Sequence, residues 1–134
     1  MMPAVAPKHV ERIRQLVKEK FYDGLKFHNV VDGFVAETGD PTGTGLGGTG
    51  TMLNAELSEI PFKRGVVGMK HDQNNVNSAD SQFFILLGDA KHLEGNYTAW
   101  GRVIHGMLLM DRMRKGSPPE NPDYIVKLSL AADL

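Results

Sequence analysis

Residue types that usually carry chemistry are few in this sequence, and their spacing does not form a reactive site. The chain of 134 residues has no cysteine, which excludes thiolate nucleophiles, disulfides and cysteine-ligated zinc. No two of its five histidines have the H-x-x-x-H spacing with which one helix ligates zinc. A G-x-S-x-G nucleophile elbow and a P-loop are also missing. We therefore expect no bound metal and no cofactor.

The glycine-rich stretch Gly39–Gly50 contains a match to a nucleotide-binding pattern. Gly43–Gly48 reads G-x-G-x-x-G, but a dinucleotide site needs that pattern between a strand and the start of a helix. Asp40-Pro41 precedes the match and no helix start follows it, so we interpret the stretch as a loop. The net charge of −1 gives no basic field that would attract nucleic acid or acidic lipid. We expect no nucleic-acid partner.

Composition and the first residues favour a cytoplasmic location. No run approaches the ~18 apolar residues that a membrane span needs, so we expect no membrane partner. The opening MMPAVAPKHVER lacks the apolar stretch and small-residue cleavage site of a secretory signal. The absence of cysteine fits a reducing compartment.

Hydrophobic spacing predicts a single, mainly β domain over residues 1–134, with two helices. Apolar residues recur at helical intervals in Pro7–Lys20 and again in Gly106–Arg114. Asp32-Gly33 lies between two short apolar runs and is a strong hairpin signal. The expected strands are Phe27–Val31, Phe34–Thr38, Val66–Met69, Gln82–Leu87, Ala99–Ile104 and Ile125–Leu130. Many short strands with glycine-rich turns are typical of a barrel or sandwich.

Three segments, in this order and spacing, resemble the cyclophilins, which are peptidyl-prolyl cis-trans isomerases. They are Phe27–Gly45 (FHNVVDGFVAETGDPTGTG), Ser81–Ile85 (SQFFI) and Leu93–Val103 (LEGNYTAWGRV). The resemblance implies a cyclophilin-like antiparallel β-barrel with two helices. It also implies an activity that needs little reactive equipment, because an X–Pro bond isomerises by rotation across a barrier of ~18–20 kcal/mol without breaking. Such an enzyme has only to bind the twisted amide better than either planar isomer.

The resemblance also implies a set of substrate-binding residues. Gln82 would line the edge where the peptide binds, and Lys70 and His71 would contact the peptide backbone, unless those two belong to a solvated loop. An apolar slot would hold the proline ring, although the same residue types also fill ordinary cores. The slot residues would be Phe34, Val35, Phe84, Leu93 and Tyr97.

Two catalytic positions depart from the family pattern. The family's arginine is Asn29 here, and the glutamine expected to contact it is Glu37. Asparagine is shorter and neutral, and losing one preorganised charged donor costs about 10²–10³-fold in rate. We therefore expect a proline isomerase of reduced activity that acts on peptides and unfolded proteins. The alternative is a pseudo-isomerase that binds proline-containing segments without catalysis.

Each of the two departures suggests a further expectation. If another donor replaces the arginine, His71 is the first candidate from the sequence. Glu37 also offers a negative charge that would bind a cation or favour a basic residue beside the substrate proline.

The chain also differs from the family pattern at its beginning, where two strands usually precede the segment resembling Val5–Lys8. We expect those first two strands to be absent and the sheet to keep exposed edges. The alternating segment Ile125–Leu130 is the expected unpaired edge. A homodimer through that edge is the resulting prediction.

Overall fold

The computed structural model describes all residues, 1–134, and contains five strands, two helices and two short 3₁₀ turns. The helices are α1 (Pro7–Lys18) and α2 (Met107–Met110), and the 3₁₀ turns are Lys91–Leu93 and Ala131–Asp133. The strands are β1 (Asn29–Val31), β2 (Val35–Thr38), β3 (Val66–Met69), β4 (Phe83–Leu86) and β5 (Ala99–Arg102). The expected mainly β fold with two helices is confirmed.

All five strands belong to one antiparallel sheet with the order β1-β2-β4-β3-β5. β1 and β5 lie at opposite edges and do not pair with each other, so the sheet is open, in agreement with the expectation that it keeps edges. A bulge interrupts the register of β3 and β5 between Val67 and Gly68. Bulges increase the local twist of a sheet.

Helix α1 covers one face of the sheet because its apolar residues recur on one stripe. Val10, Ile13 and Leu16 are buried against sheet residues that include Phe83 and Trp100. The helix ends at Lys18, before the predicted Lys20, whose φ of 60° is left-handed and cannot continue an α-helix. No helix in the structure is long and apolar enough to cross a membrane.

The opposite face of the sheet carries a second, separate apolar cluster. Strand side chains alternate between faces, so Phe83 and Ile85 face α1 while Phe84 and Leu86 join the second cluster. The sheet therefore separates the core beneath α1 from a second apolar cluster on its other face.

The predicted strand Ile125–Leu130 is wrong. Tyr124 forms a single bridge with Lys26, and the backbone of Ile125 bonds to Gly24 and Leu25, but no ladder extends further. Ile125, Leu128 and Leu130 pack, partly buried, on the helical-side core, whereas Val126 is 91% exposed, so the apolar alternation in the sequence does not match the burial. The edge on which the homodimer prediction depended is therefore absent.

The boundaries of the other elements are shorter than predicted. Four of the expected strands lose one or two terminal residues, and β3 has the expected bounds. The second helix is a single turn, Met107–Met110, and not Gly106–Arg114. Met107, Met110 and Met113 all pack against the same small apolar cluster, although Met113 lies in the loop after the helix.

Candidate functional site

The strand register places Asn29 and Glu37, the two positions that differ from the family pattern, side by side in one row across the sheet. Asn29 is opposite Glu37, Glu37 is opposite Phe84, and Phe84 is opposite Gly68. Directly opposed residues of an antiparallel pair share a face. A polar end, Asn29 and Glu37, therefore adjoins an aromatic centre, Phe84, on the face not covered by α1.

The five expected slot residues come together in one cluster on that face. Val35 and Phe84 are each 3% exposed and form the floor of the cluster. Phe34, Leu93 and Tyr97 are partly buried and pack around them. Val35 lies on β2 and Phe34 in the turn before it, and Phe84 lies on β4. Leu93 and Tyr97 belong to the segment before β5.

Gly68 sets the position of the Phe84 ring. A Cβ atom at Gly68 would lie within 3.0 Å of three atoms of that ring, so only glycine lets the ring lie across β3. Tyr97 meets Phe84 edge-on, with ring centroids 5.7 Å apart and planes at 84°, the favoured arrangement of aromatic pairs. Burial raises the pKa of the Tyr97 hydroxyl, and the negative charge of Glu37 adds to the rise.

The glycine-rich loop is organised around the chain's own carboxylate. The backbone N–H groups of Thr42, Thr44 and Gly45 donate to Asp40 at 2.8, 3.1 and 2.6 Å. Burial alone would raise the pKa of Asp40, but these hydrogen bonds outweigh it and hold the pKa well below its ordinary value. A nucleotide phosphate at this glycine-rich loop would need these backbone N–H groups as donors, but they are already bound to Asp40.

Gln82 attaches this loop to β4. Its Nε2 donates to the carbonyl oxygens of Gly45 and Gly47 at 3.0 and 2.8 Å, while its buried Oε1 has no partner. The Gln82 amide nitrogen is therefore already engaged by the loop, and its side chain lines the larger of the two clefts beside the apolar cluster.

Lys70 and Glu37 form an ion pair at the polar end of the row. Lys70 Nζ lies 3.2 Å from Glu37 Oε2, and the side chains are 33% and 14% exposed. His28 Nε2 is 3.9 Å from the same carboxylate. Burial lowers the pKa of His28, and the positive charge of Lys70 lowers it further, so the imidazole is neutral at pH 7.

His71 is engaged by the backbone and by stacking. Its Nδ1 lies 2.7 Å from the Asp72 carbonyl oxygen, and its Nε2 lies 2.7 Å from that of Asn96. The ring stacks on Tyr97 with centroids 4.3 Å apart. Both ring nitrogens already face carbonyl oxygens, so His71 orients Tyr97 and is a poor candidate for the donor that replaces arginine.

Two clefts flank the site, and neither includes a residue of the apolar cluster. A cleft of about 470 Å³ is lined by Asn29, Glu37 and His28, together with other polar residues, two glycines and a proline. A larger one of about 630 Å³ runs past Gln82 and His71. Lys70 and Gly45 line both clefts, so the ammonium group lies where they meet.

Sequence reasoning missed part of the apolar cluster. Phe62 is 2% exposed and, with Ile60, packs in the cluster, although the segment around them reads as polar and irregular. The signal was the isolated apolar pair flanking Pro61. Gly68 was missed because a glycine gives no side-chain pattern.

The fold belongs to the cyclophilin class by comparison with solved structures. A cyclophilin from Hirschia baltica matches 98% of this chain and 68% of its own, with a TM-score of 0.89 and 26% identity. A cyclophilin-type isomerase from Cryptosporidium parvum, solved in the presence of the dipeptide Ala-Pro, matches 94% and 86%, with a TM-score of 0.86 and 29% identity.

Sequence comparison gives the family. A probable peptidyl-prolyl cis-trans isomerase of Brucella suis is 44% identical over 99% of this chain and 76% of the relative. The Helicobacter pylori isomerase is 39% identical over 83% of this chain and 69% of its own. The model of the cyclophilin type peptidyl-prolyl cis-trans isomerases matches residues 1–130. The chain belongs to the cyclophilin-type peptidyl-prolyl cis-trans isomerase family.

Proposed function

We propose that this chain binds proline-containing segments of peptides and unfolded proteins on the face of its sheet that α1 does not cover and accelerates rotation of the X–Pro bond. The proline ring packs among Phe34, Leu93 and Tyr97, above the floor formed by Val35 and Phe84. The peptide backbone runs along Gln82 and the Lys70–His71 turn. Asn29 and Glu37 border the rotating amide.

One observation carries this proposal: apolar residues from three distant segments meet beside a polar row. Phe34, Phe84 and Tyr97 belong to one cluster, and the register puts Glu37 next to Phe84. An apolar surface for the ring beside polar groups for the amide is what rotational catalysis requires. Relatives that are named isomerases, one of them solved with Ala-Pro present, support the same function.

A second function, binding without catalysis, is favoured by the chemistry of the polar row. Asn29 carries no charge, and its Oδ1 is buried without a partner. Glu37 is an acceptor where an amide donor is expected. A site with weak donors still binds a proline ring, because apolar packing does not depend on them.

Exchange measurements on a proline-containing tetrapeptide distinguish the two functions. Cis/trans exchange and peptide binding are measured for the natural chain and for the double variant Asn29→Arg with Glu37→Gln. Acceleration by the natural chain supports the isomerase. Binding by both chains with acceleration by the variant alone supports the binding module. Failure of the natural chain to bind any prolyl peptide, even at millimolar excess, overturns both.

We also propose a role in protein folding in the cytoplasm, supported by the cysteine-free sequence. Fractionation of cells that produce the tagged chain tests the compartment. A homodimer would now need a surface other than Ile125–Leu130, and light scattering at high concentration tests whether the chain self-associates.

A further inference from the structure

The proposed site needs a donor that the sequence position of the family arginine does not supply. Twisting the amide ends its resonance and localises the lone pair on the prolyl nitrogen, and a preorganised charged donor stabilises electron density that develops in this way. Asn29 is neutral and lies beside a cleft that its short side chain does not fill. The donor must therefore come from another element that reaches the same row.

Four titratable nitrogen-bearing side chains border the clefts next to this row. His28 is neutral, because burial lowers its pKa. Both ring nitrogens of His71 face carbonyl oxygens. The Lys26 side chain lies against Gly43 and lines only the smaller cleft. Lys70 remains, and it borders both clefts.

The backbone and side chain of Lys70 are both held in place. Its backbone N–H donates to the Gln82 carbonyl oxygen at 3.0 Å, directly after the end of β3. Its Nζ is fixed by Glu37 at 3.2 Å. An ammonium group has three N–H donors, and Glu37 is the one hydrogen-bond acceptor that the structure gives it. Two donors remain for a peptide, on a side chain that is one-third exposed.

We propose that Lys70, positioned by Glu37, is the cationic donor to the peptide at this site and takes the role that arginine has at position 29 in the family pattern. The inference rests on the proposed isomerase function and accounts for both departures together. The site can have the neutral Asn29 in place of arginine because Lys70 supplies the charged donor. Glu37 is a carboxylate because it holds an ammonium group, which a glutamine would hold less firmly.

The test measures kcat and KM for a proline tetrapeptide with Lys70→Met, Lys70→Arg and the natural chain. Lys70→Met keeps the length of the side chain without its charge, and we expect kcat/KM to fall by about 10²-fold, mainly through kcat. Lys70→Arg keeps a charged donor and restores most of the rate. Lys63→Met is the matched control, because Lys63 pairs with Asp89 at 3.6 Å in an exposed ion pair and its loss leaves kcat/KM unchanged.

Folding is checked by thermal unfolding, and Lys70→Gln is measured as well so that instability of one variant does not decide the result. A folded Lys70→Met or Lys70→Gln chain with kcat/KM within threefold of the natural value overturns the inference while leaving the isomerase function intact. A natural chain that binds the peptide without accelerating exchange overturns the inference and supports the binding module. A natural chain that does not bind overturns both the inference and the proposed function.

Discussion

Replacing Gly68 with alanine tests whether the Phe84 ring is held in place by the absence of a side chain on β3. The new Cβ would lie within 3.0 Å of three ring atoms, closer than carbon atoms approach in proteins, so the ring has to move. Such overpacking costs about 1–3 kcal/mol. Alanine recovers about 0.5–1 kcal/mol of this, because glycine is unfavourable inside a strand.

Gly101→Ala is the matched control, because Gly101 lies in the same sheet, on β5. Its Cβ would come no closer than 3.7 Å to any atom beyond its chain neighbours, which is ordinary contact. We expect Gly68→Ala to lower the free energy of unfolding by about 0.5–2 kcal/mol. Gly101→Ala should raise it by about 0.5–1 kcal/mol.

The two variants should also differ in function. A shift of about 1 Å in a residue that positions the substrate can cost ~10²-fold in rate, so Gly68→Ala loses most of its exchange activity and Gly101→Ala keeps it. Denaturant unfolding gives the stabilities, and cis/trans exchange of a prolyl tetrapeptide gives the rates. Equal unfolding free energies and equal rates for the two variants would refute the role assigned to Gly68.

Two further predictions concern stability. Burial lowers the pKa of His9 and His28 below the ordinary value of 6.5, so the unfolded chain binds protons that the folded chain does not. The free energy of unfolding should therefore fall as the pH drops below about 6.5, and urea unfolding from about pH 7.5 to 5 checks this; a stability that rises over that range contradicts it. Asp40→Asn should lower the free energy of unfolding by about 1–3 kcal/mol, because asparagine keeps only one of the two oxygens that accept from the loop amides. The exposed turn variant Asp32→Asn should change it by less than about 0.5 kcal/mol.

The sequence was sufficient to predict the sheet but not every segment that looks like a strand. The Asp32-Gly33 turn and the apolar runs beside it correspond to β1 and β2, because local turn chemistry and alternation act together there. The apolar residues of Ile125–Leu130 alternate in the same way, yet the segment forms no strand and Val126 is 91% exposed. A two-residue period of apolar residues therefore does not by itself establish burial or backbone partners.

The candidate site was predictable in its parts but not in its charge network. Apolar residues could be assigned because a resemblance fixed their spacing, and they meet in one cluster. The contact between Lys70 and Glu37 joins residues 33 positions apart. It depends on how β2, β4 and β3 align across the sheet, which no local pattern encodes. The sequence alone therefore favours His71 as the donor, whereas in the structure both of its ring nitrogens face carbonyl oxygens.

The same ion pair changes the expected peptide preference of the site. Glu37 alone would favour a basic residue beside the substrate proline, but its carboxylate already lies 3.2 Å from the Lys70 ammonium group, and the two charges cancel at longer range. The natural chain should therefore bind tetrapeptides with lysine or alanine beside the proline equally well. Lys70→Met leaves Glu37 uncompensated and should bind the lysine peptide more tightly, with a gain that decreases as salt is added. A preference for lysine in the natural chain, or none in the variant, would mean that the pair does not control the charge of the site.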